Sequence, residues 1–192
     1  MNSTDLVLRL IAAFDEVGVD YMLVGSFSSN VYGRERGTND ADFVVIIDPK
    51  QLTEIATRLG SDFQVESQMS FETVTMTTRH LLHHPATAFK IELFLLSADA
   101  HDQARFKRRQ LIDVEGHATW LPTPEDVVIT KLRWSKGGRR SKDVTDVAQV
   151  LAVQYGKLDL TYIRAWCDQH GTRELLEQLL LEAERVNQPP PK

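Results

Sequence analysis

Asp40 and Asp42 stand two residues apart at the head of Phe43-Val44-Val45-Ile46-Ile47, a run of β-branched and aromatic residues without helical spacing. In a strand such residues share a face, with Cα atoms about 6–7 Å apart. Two carboxylates beside an apolar run are costly unless something neutralises them. A hard divalent cation, Mg²⁺ or Mn²⁺, prefers such oxygen ligands. Glu92 lies in Phe89-Lys90-Ile91-Glu92-Leu93-Phe94-Leu95-Leu96, a second predicted strand, and is the candidate third acid. Glu72, in Phe71-Glu72-Thr73-Val74, competes with it but belongs to a less hydrophobic strand. Upstream, the apolar strand Tyr21-Met22-Leu23-Val24 runs directly into Gly25-Ser26, and Phe27 to Tyr32 is expected to be a short helix ended by Gly33. A glycine lets backbone N–H groups approach a phosphate, and a serine hydroxyl adds a donor. The bland alternatives are a solvated strand start for the acid pair, a plain helix cap for Ser26 and an outward-facing strand residue for Glu92.

Gly25-Ser26, Asp40-Ala41-Asp42 and a third acid on a later strand, in that order, resemble the nucleotidyltransferase superfamily, with its polymerase-beta-like fold. Leu23-Val24-Gly25-Ser26, Tyr32-Gly33-Arg34 and Arg36-Gly37-Thr38-Asn39-Asp40-Ala41-Asp42 are similar to its small bacterial branch, which includes toxin-type and abortive-infection enzymes. The block from Leu121-Pro122-Thr123-Pro124 through Lys131 to Lys142-Asp143-Val144-Thr145-Asp146 extends the likeness to roughly residues 20 to 150. One departure is the third acid, a glutamate where many relatives carry aspartate. The resemblance implies metal-dependent transfer of a nucleoside monophosphate from an NTP to an acceptor hydroxyl. Asp40, Asp42 and Glu92 would be the catalytic metal acids, with Glu92 as ligand or general base. Gly25, Ser26, Arg36, Lys131 and Asp143 would hold the nucleotide, with Asp146 an alternative to Asp143.

The acceptor stays open between an RNA end, a protein and a small molecule of antibiotic type. A catalytically silent domain that binds nucleotide or a partner is a further alternative. A cognate antitoxin or a homodimer is the expected protein partner. Arg34 and Arg36 precede the acid pair, and Arg133, Lys136, Arg139, Arg140 and Lys142 follow Lys131, as a phosphate-binding cluster or as a solvated helix end. His80, His83 and His84 have no accompanying cysteine cluster, which argues against zinc.

The elements that must position these residues read as α/β followed by α. A helix runs from Ser3 or Thr4 to about Val17, then come the two strands around Gly25 and Asp40. A helix follows Asp48-Pro49 as far as Leu59. Strands are expected over Phe71 to Thr78 and Ala88 to Leu96, with Arg79 to Ala86 a loop or hairpin end. A basic helix follows over Gln103 to Arg109, then a hairpin turning at Glu115-Gly116-His117. Thr123-Pro124-Glu125-Asp126 is a well-formed helix start, and Gly137-Gly138, Gly156 and Gly171 punctuate the helices that follow. The fold class is therefore a small mixed-sheet α/β core flanked by helices with a C-terminal helical segment. Its expected boundaries are a core over 1–121, helices over 122–186 and a disordered tail over 187–192. The 192 residues carry a formal net charge of −5, so nucleic-acid contact would have to use a local patch. One cysteine excludes an internal disulfide, and no signal peptide or membrane span is evident, so a cytoplasmic location is expected.

Overall fold

The computed structural model describes residues 3–66 and 68–188. Its described residues fall into two compact units, one of 3–27 with 37–66 and 68–121, and one of 28–36 with 122–188.

The first unit is built on a mixed sheet. Helix α1 (Ser3–Val17) carries the apolar stripe Leu6, Val7, Leu10, Ile11 and Phe14 into the core and stops before Gly18, whose φ is +74°. Strand β1 (Asp20–Val24) leads into helix α2 (Gly25–Tyr32), and strand β2 (Asp40–Ile46) follows. Helix α3 (Pro49–Leu59) is closed at its start by a reciprocal cap between Asp48 and Gln51. Next come β3 (Gln64–Val65), β4 (Ser70–Glu72), β5 (Thr77–His83) and β6 (Lys90–Leu95). The sheet order is β1-β2-β6-β5-β3, with β4 also on β5; β2 and β6 are parallel and the other pairs antiparallel. Helix α4 (Ala100–Arg108) and the hairpin β7 (Gln110–Val114) and β8 (His117–Leu121) complete the unit. One sheet face presents Tyr21, Leu23, Phe43, Ile91 and Leu93 to α1 residues, and Phe14 meets the Phe43 ring edge-on at 5.4 Å.

Two sequence expectations are corrected here. Helix α2 begins at Gly25 itself, not at Phe27. The expected single strand Phe71 to Thr78 is two strands with a turn between them, and residues 79–83, expected as a loop or hairpin end, continue strand β5. The reason is Glu72. Its buried carboxylate accepts hydrogen bonds from the Thr75 backbone N–H and Thr75 Oγ1, both at 2.8 Å, and from the Val74 N–H. The chain therefore turns back inside a β-branched run that reads as continuous strand. Glu72 is occupied by its own turn.

The second unit is helical. Helix α5 (Pro124–Trp134) is capped by Thr123, whose Oγ1 accepts from the Asp126 N–H at 3.3 Å. Helices α6 (Ser141–Val153), α7 (Leu160–His170) and α8 (Arg173–Asn187) follow, and Gly171 ends α7 in the left-handed conformation. Val128, Leu132, Val147, Val150, Ile163 and Leu176 are fully buried in their core, joined by Tyr32 and by Cys167. The tail expected over 187–192 lies, from 189 onward, outside the described residues.

Candidate functional site

In the first unit the acids are placed by register. Asp40 and Asp42 are both on β2, two residues apart, and the parallel ladder sets Asp42 directly against Glu92 of β6. Paired residues on neighbouring strands point to the same face, with the strands about 4.8 Å apart. The three carboxylates therefore share the sheet face opposite Phe43 and Leu93. Asp42 also pairs with Val24 of β1, which places it beside the start of α2. Gly25 has φ +65°, and a Cβ built on it would stand 2.0 Å from Asp42 Oδ2. Only glycine lets the Asp42 carboxylate lie this close to the backbone that opens a helix.

Each acid is engaged. Thr38 Oγ1 donates to Asp40 Oδ1 at 2.6 Å, and Arg79 Nη1 of β5 donates to Glu92 Oε2 at 2.5 Å. Burial raises the Glu92 carboxyl above the usual range. Arg79 opposes that shift and the nearby Asp40 charge adds to it. The donor set fits a hard divalent cation in its all-oxygen chemistry, in its shared face and in the cradle at Gly25. As the side chains stand, though, no three His, Cys, Asp or Glu residues among those described are gathered closely enough to hold a metal ion. Glu92 in particular is turned to Arg79. Arg79 is not among the sequence candidates because residues 79–86 read as a loop or hairpin end. Arg79-His80-Leu81-Leu82 carries no polar–apolar alternation that would have marked it as strand.

In the second unit the structure brings together the other sequence candidates. Lys131 Nζ on α5 donates to Asp143 Oδ1 at 3.2 Å and Asp146 Oδ2 at 2.8 Å, both on α6. Arg36 reaches Asp146 through Nε and Nη2, each at 2.7 Å, and its backbone is tied to the Asn30 side chain. Arg140 Nε forms an ion pair with Asp143 Oδ2 at 3.1 Å, without hydrogen-bond geometry. Asp143 and Asp146 are one turn apart on α6, which is why one ammonium serves both. Burial alone would raise the Asp146 carboxyl, but the hydrogen bonds and charges of Arg36 and Lys131 hold it below its ordinary value. The alternatives Asp143 and Asp146 are thus both partners of Lys131, and Asp146 alone carries the Arg36 fork.

No protein-family model matches the sequence, and no curated protein sequence does either. Solved structures do resemble it. The antibiotic-resistance factor ANT(2″)-Ia, in complex with adenylyl-2″-tobramycin, superposes with a TM-score of 0.62 at 11% identity, over 88% of this chain and 97% of that one. JHP933 from Helicobacter pylori gives 0.57 at 13% identity, over 95% and 89%. An antigenic nucleotidyltransferase-like protein from Paracoccidioides brasiliensis gives 0.52 at 19% identity, over 94% of each chain. The fold is a nucleotidyltransferase fold. At these identities the likeness is one of architecture, and roles for particular residues have to be argued from this chain.

Proposed function

We propose that the chain is a metal-dependent nucleotidyltransferase that moves a nucleoside monophosphate from an NTP to an acceptor hydroxyl. The observation that carries this is the Asp42–Glu92 register, with Asp40 on the same strand face and Gly25 beneath the Asp42 carboxylate. A Mg²⁺ or Mn²⁺ ion held by Asp40 and Asp42 would supply charge neutralisation at the triphosphate. Gly25 and Ser26 place the backbone N–H groups that open α2 where phosphate oxygens are held. Glu92 either completes the ligand set or takes the acceptor's proton, a role that suits a carboxyl raised by burial. In the helical unit, Lys131 and Arg36 are nucleotide-phosphate donors, with Asp143 and Asp146 fixing their positions.

The acceptor is an RNA end or a protein, as in toxin-type enzymes, in which case a cognate antitoxin is a fitting partner. A small hydroxyl-bearing acceptor is the second reading, favoured by the net charge of −5, which offers no broad attraction to nucleic acid. Among the described residues no helix is long and apolar enough to cross a membrane.

The test incubates the protein with Mg²⁺ or Mn²⁺ and each α-³²P-labelled NTP, with total RNA, cell lysate or aminoglycoside as acceptors. Label should transfer with the wild type and not with the Asp40→Ala/Asp42→Ala double variant. Transfer that survives that substitution would refute the assignment of the acid pair.

A further inference from the structure

The acid face has a resident cation of its own. Arg79 lies two residues along β5 from Leu81, the register partner of Glu92, so it stands diagonally beside Glu92 on the same sheet face. Its Nη1 is 2.5 Å from Glu92 Oε2, and its guanidinium carbon lies 5.6 Å from the centre of the Phe94 ring. The pair is partly buried, with side-chain exposures of 32% and 20%. The contact is single, not the two-pronged fork arginine prefers with a carboxylate. Arg79 Nε is buried and has no hydrogen-bond partner. A buried donor left unsatisfied is costly, and a purely structural ion pair would be expected to satisfy it. The pairing also explains why three acids on one face do not close around a common point: Glu92 is turned toward β5 while Asp40 is held by Thr38.

We propose that Arg79 is a built-in counter-ion that occupies Glu92 and must be displaced from it before Glu92 can join Asp40 and Asp42 around a divalent cation. This rests on the reading of Asp40 and Asp42 as metal ligands. Arg79 acts here as a positioning residue that sets how tightly the face takes up a metal. It opposes the cation twice, by like-charge repulsion and by holding the third carboxylate. Removing its charge should therefore tighten cation binding, and only while Glu92 remains a carboxylate.

The test needs neither nucleotide nor acceptor. Mn²⁺ is titrated into the full chain and the free ion is followed by its paramagnetic resonance signal. Variants are Arg79→Met, Glu92→Gln, the Arg79→Met/Glu92→Gln double, and Asp42→Asn, each checked by thermal melting. Arg79→Gln replaces Arg79→Met if the latter does not fold. Arg79→Met should bind Mn²⁺ about tenfold more tightly than wild type. The double variant should lose that gain, and Asp42→Asn should lose binding. If wild-type affinity is below detection, measurable binding by Arg79→Met supports the proposal, and binding by neither overturns it. Unchanged or weaker binding by Arg79→Met overturns it, as does a gain that persists without Glu92. If Asp42→Asn binds as well as wild type, the metal assignment itself fails and takes the proposal with it. Loss in Asp42→Asn without a gain in Arg79→Met removes the Arg79 role alone.

Discussion

Replacing Gly25 by alanine tests the geometry of the acid face most directly. Two costs can be separated. The first is backbone: at φ +65° an L-residue pays about 1–2 kcal/mol for the left-handed conformation. The second is contact: the new Cβ would stand 2.0 Å from Asp42 Oδ2, 2.9 Å from its Cγ and 3.1 Å from its Cβ. Restoring an ordinary contact of roughly 3.5 Å requires the carboxylate to retreat by about 1.5 Å. Forcing the side chain off its preferred rotamer adds about 0.5–1.5 kcal/mol. The sum, about 1.5–3.5 kcal/mol, corresponds to a Tm lowered by about 3–14 °C in a chain of this length. A displacement beyond 1 Å should also reduce label transfer by at least about 10²-fold. Gly18→Ala is the control. Its φ is +74°, yet a Cβ there would meet nothing within 4 Å. That variant should lose stability by the backbone part alone and keep Mn²⁺ binding and transfer. The reasoning fails if Gly25→Ala keeps wild-type Mn²⁺ affinity and transfer, or if Gly18→Ala loses as much of either.

Three further outcomes follow from the same structure. Lys131→Met leaves Asp143 and Asp146 buried without their shared ammonium and should cost about 3 kcal/mol, reduced from the usual upper range because Arg36 and Arg140 remain; a urea midpoint matching wild type would contradict this. Asp146 has a folded-state pKa below its unfolded value, so its stabilising contribution is present above about pH 4 and disappears as pH falls through the depressed folded value. Asp146→Asn should therefore be less stable at neutral pH and lose less stability on acidification, which urea melts from neutral to acid pH will read. Thr123→Ala removes the α5 cap and should cost about 1 kcal/mol, seen as a Tm lower by about 2–4 °C with m unchanged.

Much of the local structure was legible because its causes are local. Thr123-Pro124, Asp48-Pro49 and Glu115-Gly116 set caps and turns through neighbours within four residues. The 3.6-residue stripe of α1 and the two-residue spacing of Asp40 and Asp42 are properties of the chain itself. The β4–β5 turn was missed although its cause is also short-range. It depends on a buried glutamate accepting from the backbone, and nothing in the residue type announces that Glu72 will turn inward.

The sequence by itself determined that this chain forms a small α/β core with a helical segment, and that two acids on one strand must face the same way. Tertiary structure alone decided which groups answer them. The parallel β2–β6 pairing brings Glu92 opposite Asp42, and β5 then brings Arg79 to Glu92. In the helical unit a separation of 110 residues closes to 2.7 Å between Arg36 and Asp146. Periodicity fixes a side chain's face on its own element. Strand register and helix packing, set by burial over the whole chain, fix what that face meets.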